Sequence, residues 1–277
     1  MASKAYFFSK DILGGLLSGA AWRAAHLRMI VVGALMLREV HTRYGRDNLG
    51  FLWLIAEPML FCLGVVAVWS ATKPPHEHGI PVLAFVMTGY IPFFLWRHCV
   101  FRSVLCFRAN GSLLYHRQVG IMDFLVARIL LEIYGSIVTF ALIAFVFGLA
   151  DMYTVPEDLG LFFLGWTLMI LYSAGLAIIL ACLSEMYDWV EKLVAPSTYL
   201  IMPISGAFFM VDWLPYWLQK YALLVPSVNA YEILRAGQFG SGVRVHYDLY
   251  YTLFVCLLLI TIGLVLTRSV RRHVEVE

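Results

Sequence analysis

LGLFFLGWTLMILYSAGLAIILACLS, residues Leu159–Ser184, contains no charged side chain. It is longer than the ~20 mostly apolar residues that a helix needs to cross a bilayer. Working outward, five more stretches read the same way. Phe51–Thr72 is apolar except for Glu57, and Phe124–Ala150 keeps Arg128 and Glu132 in its first turns. Ile80–Trp96, Leu193–Val211 and Leu249–Thr267 are uncharged. Composition agrees: 61% of the 277 residues are apolar, 14% are charged and the mean hydropathy is +0.80. Soluble domains carry about 45–50% and about 25%. One soluble core cannot hide that surplus, so it faces lipid. An ordinary cytosolic enzyme, a disordered chain and a nucleic-acid binder are excluded. The expected fold is all-α and membrane-integral, with six transmembrane helices.

Six crossings put both termini on one face. Of the 20 Lys and Arg residues, only Lys73, Lys220, Arg235 and Arg244 then fall on the opposite face. Cytoplasmic flanks retain positive charge, so both termini are expected in the cytoplasm. Residues 1–50 read as a cytoplasmic N-terminal segment and 51–277 as the membrane domain. The run Ile12–Leu17 is too short and too glycine-broken for a signal peptide, and Asp11 abuts it, so no cleavage is expected.

Two segments break the spanning pattern. Met29–Leu37 is an apolar run flanked by Arg28 on one side and by Arg38, Glu39, Arg43 and Arg46 on the other. Too short to cross, it suits a cationic amphipathic helix in the membrane interface. From Asp212 to Asp248, Trp213, Trp217, Tyr221 and Tyr231 alternate with charges, and Pro215 and Pro226 cut the stretch into short helices. Such aromatic-rich pieces are expected to dip back into the interface as re-entrant helices before the last span.

The sequence has no GxxxxGK[ST] loop, HExxH, GxSxG elbow or EF-hand loop, so neither ATP hydrolysis nor a familiar enzymatic site is indicated. His76-Glu77-His78 reads as a solvated loop rather than a metal site, and Gly237–Gly242 as a flexible turn. The odd set Cys62, Cys99, Cys106, Cys182 and Cys256 reads as buried small hydrophobes. Ion-coupled transporters keep ionisable groups deep in the membrane. Here Glu57, Arg128 and Glu132 sit near span ends, so the driving energy is expected from elsewhere.

The string Leu37-Arg38-Glu39-Val40-His41-Thr42-Arg43-Tyr44-Gly45, followed by Leu49-Gly50-Phe51-Leu52-Trp53 and Glu57-Pro58, resembles the N-terminal motif of ABC-2 type export permeases. Its form is similar to the branch that exports capsular polysaccharide. Asn110-Gly111-Ser112-Leu113-Leu114 with Arg117 and Asp123 resembles that family's segment after span 2. Trp213-Leu214-Pro215, then Pro226, Asn229, Glu232 and Arg235, resembles its hairpin before the last span, although Val225-Pro226-Ser227 stands where many members have Asn-Pro. The resemblance implies a homodimeric permease in the bacterial inner membrane. Two copies of a separate cytoplasmic ATP-binding subunit would hold ATP and Mg, with no cofactor in this chain. The substrate implied is a polysaccharide, lipid-linked, with room for periplasmic and outer-membrane export components. An exporter of O-antigen, teichoic acid or a smaller lipid-linked molecule, or a non-transporting membrane enzyme, stays the alternative.

The implied residue roles follow. Asn110 caps a coupling helix whose Leu113 and Leu114 form an apolar knob, with Arg117 meeting acidic groups of the ATPase and Asp123 closing the segment. Arg38, Arg43, Tyr44, Gly50, Trp53, Glu57 and Pro58 make the N-terminal motif, and Glu57 is expected to pair with Arg43 or Arg46. Tyr172, Phe208, Phe209, Trp213 and Trp217 would offer ring faces to a sliding polymer. Arg97, Arg102 and Arg235 would guide an acidic one.

Overall fold

The structure, a computed structural model, describes residues 3–44, 50–72, 76–77, 79–108, 110 and 119–274; side chains are described from residue 19, except at 20, 44, 50–51, 76–77 and 271–274. Nine α-helices follow one another among the described residues. They are α1 Ser3–Tyr44, α2 Gly50–Thr72, α3 Val82–Ser103, α4 Ile121–Leu149, α5 Leu159–Met186, α6 Asp188–Ile201, α7 Tyr216–Ala222, α8 Pro226–Phe239 and α9 Leu249–Val274. A two-residue antiparallel hairpin, β1 His76–Glu77 with β2 Ile80–Pro81, separates α2 from α3.

Five helices, α2, α3, α4, α5 and α9, are long and apolar enough to cross a membrane. They differ in what covers them. The apolar window of α3 is 89% buried, whereas those of α2 and α9 are 28% and 17% buried. So α3 is enclosed by α2, α4, α5 and α8, while α2 and α9 turn most of their side chains outward. All five cysteines are buried, as composition suggested.

Three sequence expectations are corrected. The cationic run Met29–Leu37 is not a short helix but part of the 42-residue α1. Its charges pack along α4 while Trp22, Leu27, Met29, Ile30 and Leu37 stay exposed. The stretch Gly237–Gly242 is not one turn: Gly237, Gln238 and Phe239 end α8, and only Gly240–Gly242 forms a short 3₁₀ turn. The third is the expected span Leu193–Val211, which is not a continuous helix. The 14-residue α6 ends at Ile201; at 1.5 Å per residue it covers about 21 Å, less than the ~30 Å hydrocarbon core. Pro203 lies in the 3₁₀ turn that follows, and Gly206 adopts φ +92°, a left-handed conformation that favours glycine.

Irregular backbone at membrane depth is tolerated only where protein satisfies its polar groups. Here α8 does so. The Arg235 guanidinium donates to the carbonyls of Gly206 (2.9 Å), Phe209 (2.6 Å) and Ala207 (2.5 Å). Glu232 accepts the backbone N–H groups of Val211 and His246, each at 3.0 Å. Ser227 donates to the Ser205 carbonyl (2.9 Å). Pro226 starts α8 at a position whose N–H has no helical acceptor.

Close glycine contacts seat α8 against the bundle. A Cβ on Gly165 would lie 2.6 Å from the Leu234 backbone. Gly165→Val should force α8 away from α5 and lower the melting temperature of the purified protein, by overpacking of about 1–3 kcal/mol. An unchanged melting temperature would show that the two helices do not depend on this approach.

Candidate functional site

The charges of the helical bundle gather where α1, α2, α3 and α4 meet. Three helices carry paired polar residues one turn apart: Glu39 and Arg43 on α1, His98 and Arg102 on α3, Arg128 and Glu132 on α4. Residues four apart share a helix face, so each pair points the same way. Glu132, 4% exposed, accepts from Arg43 (2.6 Å), Arg102 (3.2 Å) and His98 Nδ1 (3.1 Å). Arg43 also donates to Glu39 (2.8 Å), and Arg128 pairs with Glu39 (2.9 Å). Arg102 reaches Glu57 on α2 (3.2 Å) and supplies its carbonyl to Arg128 (2.7 Å). Three carboxylates thus face three guanidiniums, and the cluster ties four helices together.

Glu57 is therefore held by Arg102 and His98, not by Arg43. Arg43 is turned instead toward Glu39 and Glu132, whose carboxylates lie closer along α1 and α4. The second expected partner, Arg46, lies outside the described residues. His98, Glu39, Arg128 and Glu132 were not among the expected site residues. For Glu39, Arg128 and Glu132 the signal was present in the one-turn spacing of opposite charges near span ends; His98, one turn from Arg102, carried no such sign.

The expected coupling segment falls largely outside the described residues: Leu113, Leu114 and Arg117 all do. Its flanks are described. Asn110 does not cap a described helix; its amide donates back to the Cys106 carbonyl (2.8 Å) and accepts from Arg38 (2.8 Å). Asp123 accepts the Gly120 N–H (2.7 Å) in the first turn of α4 and pairs with Arg28 of α1 (3.1 Å). Arg108 binds Glu185 (3.2 Å) and Asp188 (3.3 Å) at the junction of α5 and α6. Both ends of the segment are thus fastened, to α1 and to the α5–α6 corner.

Beside the charge cluster, α2, α3 and α6 enclose a cleft of about 580 Å³. Phe61, Tyr90, Phe93, Phe94, Phe101 and Tyr199 supply ring walls, and Glu57, Arg97, His98 and Arg102 supply charge. The Arg97 guanidinium lies over the Tyr199 ring, 4.1 Å from its centroid. His98 packs on Phe94 at 3.9 Å between ring centroids.

The remaining expected residues are dispersed. Phe208 does not line this cleft; it packs with Trp69, Tyr90 and Phe93. Trp213 lies against Phe85 (4.9 Å), Tyr172 and Phe209 are half-buried, and Trp217 is 65% exposed. Arg235 does not face a path: it is wholly buried, 4.1 Å from the Phe85 centroid, with both terminal nitrogens donating to the broken backbone while its buried Nε finds no partner among the described residues. Burial lowers its pKa to about 10, so it stays charged near neutrality. Burial likewise raises the Glu232 carboxyl, while the N–H groups of His246 and Val211 and the Arg235 charge act against that rise. Trp53 is exposed, and Pro58 lies inside α2. Gly50 opens α2, and the Tyr44 side chain is outside those described.

A helical membrane protein of several spans is defined by these features, with a buried charge cluster where α1–α4 meet and an aromatic cleft beside it. More narrowly, the ABC-2 type transporter family matches residues 31–239, and the chain belongs to that family. The capsule polysaccharide export inner-membrane protein CtrC of Neisseria meningitidis serogroup B is 35% identical over 254 residues, 92% of this chain and 96% of CtrC. BexB of Haemophilus influenzae, which bears the same description, is 34% identical over 88% of this chain and 92% of its own length. The polysialic acid transport protein KpsM of Escherichia coli is 30% identical over 88% of this chain and 94% of its own length.

Proposed function

We propose that this chain is the membrane-spanning permease subunit of an ATP-driven exporter that moves lipid-linked capsular polysaccharide across the bacterial inner membrane. Near full-length similarity to permeases named for that export carries the reading. The sequence has no P-loop, so ATP and Mg belong to a separate cytoplasmic subunit, two copies of which serve a homodimer of this chain. Both termini face the cytoplasm, α1 with residues up to 50 forming the cytoplasmic segment and residues 51–277 the permease domain. In this arrangement α6 together with residues 202–211 makes the sixth crossing. Further periplasmic and outer-membrane components would carry the polymer onward.

The geometry supports a route for the driving force. The ATPase docks on residues 111–118, using Leu113, Leu114 and Arg117. Its movement reaches α1 through Asn110–Arg38 and Asp123–Arg28, and α6 through Arg108–Asp188. The cleft wall on α6 then moves relative to α3. The polymer path runs along this cleft between two copies, with Arg97 and Arg102 at its wall and Tyr172, Phe209, Trp213 and Trp217 toward its exit.

Combining Arg117→Glu with Leu114→Ala is expected to stop export while leaving membrane insertion intact, measured by surface polymer and membrane fractionation. Normal surface polymer would remove the coupling assignment. Deleting the gene and locating the polymer tests the function itself. Intracellular accumulation supports export; loss of synthesis would identify an enzyme instead.

A further inference from the structure

The chain leaves α3 at Ser103 through a turn whose backbone is strained at one residue. Val104 is extended, and Leu105 adopts φ +52°, a left-handed conformation that is costly for a residue with a Cβ. Among the described non-glycine residues only Asp151 shares this sign, and aspartate tolerates it. The Leu105 side chain is half-buried, whereas Cys106 and Phe107, which follow it, are buried. Two consecutive residues at the end of α5 hold this turn by its backbone. Ser184, wholly buried, donates its proton to the Ala181 carbonyl (2.9 Å) and accepts the Leu105 N–H (3.1 Å). The Glu185 carboxylate accepts the Arg108 N–H (3.0 Å) and pairs with the guanidinium Nε (3.2 Å). Both N–H groups lie beyond the end of α3, so these side chains stand in for helical acceptors.

Strained backbone persists only where its surroundings over-determine it, and it gathers at switch regions. This turn stands between the cleft wall on α3 and residues 111–118, proposed above to receive the ATPase. We infer that residues 104–108 form a two-state joint, seated on Ser184 and Glu185 with Leu105 left-handed, and unseated with Leu105 relaxed. In the seated state the two α5 side chains offset the strain. A pull on residues 111–118 breaks the Leu105–Ser184 bond, and relaxation of Leu105 then favours the second state. Leu105 and Ser184 are thus positioning residues that let the base of the segment leave α5 and return. The inference rests on the coupling reading and adds to it the residue at which the moving part switches.

Cys106 reports the switch. Burial pushes its thiol up to about 11, and a thiol reacts as the thiolate, so alkylation follows the lifting of the turn. The test measures N-ethylmaleimide labelling of Cys106, by peptide mass spectrometry, in inside-out membrane vesicles of cells expressing this chain and its ATPase. ATP should raise the rate in the native chain. Leu105→Gly removes the left-handed penalty, so labelling should slow about tenfold, lose its response to ATP, and be accompanied by reduced polymer uptake. Leu105→Ala removes packing but keeps the penalty, and its labelling should still rise with ATP. Ser184→Ala orphans the Leu105 N–H and should speed labelling about tenfold without ATP, while Ser184→Thr, which keeps the hydroxyl, should restore the native rate. A turn with a purely structural role would leave polymer uptake unchanged in Leu105→Gly. That result, or labelling that ATP does not alter in the native chain, overturns the joint. Normal export by Arg117→Glu with Leu114→Ala removes the coupling assignment and the joint with it. Lost export in that double variant, together with ATP-insensitive labelling of the native chain, removes the joint alone.

Discussion

Glu132→Ala is expected to cost the folded protein about 3–5 kcal/mol, the penalty for removing one partner of a buried ion pair. The size follows from its position. Glu132 is 4% exposed and accepts from Arg43, Arg102 and His98 at 2.6–3.2 Å. Its loss leaves Arg43 with Glu39, already shared with Arg128, and takes from Arg102 the more deeply buried of its two carboxylates, Glu57 being half-buried. Charges stranded at the junction of α1–α4 would pull water between the helices. Thermal unfolding of the purified variant measures the loss. The double variant Glu132→Leu with Arg43→Met should recover part of it, because replacing both members of a buried pair is far less costly than breaking it. A melting temperature unchanged in Glu132→Ala would mean that the cluster is solvated and binds nothing together.

Arg235→Met should be at least as severe, for a different reason. The side chain fills similar space, but three backbone carbonyls, those of Gly206, Ala207 and Phe209, lose their donors together. Each unpaired buried group costs about 1–3 kcal/mol. Glu232 also loses the cation that lowers its pKa. The break after α6 should then open, and protease cleavage within residues 202–213 of the detergent-solubilised protein should report it. Arg235→Lys should restore only part, since an ammonium on a flexible stem lacks the planar fork. Cleavage no faster than in the native protein would contradict the role given to Arg235.

These two residues also mark what the sequence allowed to be read. Length and absence of charge identified α2, α3, α4, α5 and α9, because a lipid-crossing helix needs both and little else imitates them. The same criterion misjudged Leu193–Val211. Its apolar side chains are divided between an exposed face on α6 (Leu193, Tyr199 and Leu200) and a buried turn at residues 205–211 held by α8, and Pro203 and Gly206 were the local signs of a break. Arg235 was assigned to a conduit because a lone arginine among aromatics looks alike whether it serves a ligand or backbone carbonyls. Only the fold brings Gly206–Phe209 within its reach. Glu57 was singled out correctly as a carboxylate needing a partner at that depth. Of its two expected partners, Arg43 is turned elsewhere and Arg46 lies outside the described residues; the pairing with Arg102 and His98 was not legible because the relative registers of α1, α2 and α3 are set by packing, which no local pattern encodes. The cleft was equally hidden: its walls come from residues 57–61, 90–102 and 195–202, which are distant in the chain.

On the function proposed above, this chain carries a polymer outward across the membrane with energy from an ATPase. That function is tested most directly by uptake into inside-out membrane vesicles of cells expressing this chain and its ATPase, using their own radiolabelled lipid-linked capsular polymer. Uptake should require ATP, vanish in vesicles lacking this chain, and fall in vesicles carrying Arg117→Glu with Leu114→Ala. ATP-dependent uptake of equal rate in vesicles without this chain would contradict the account.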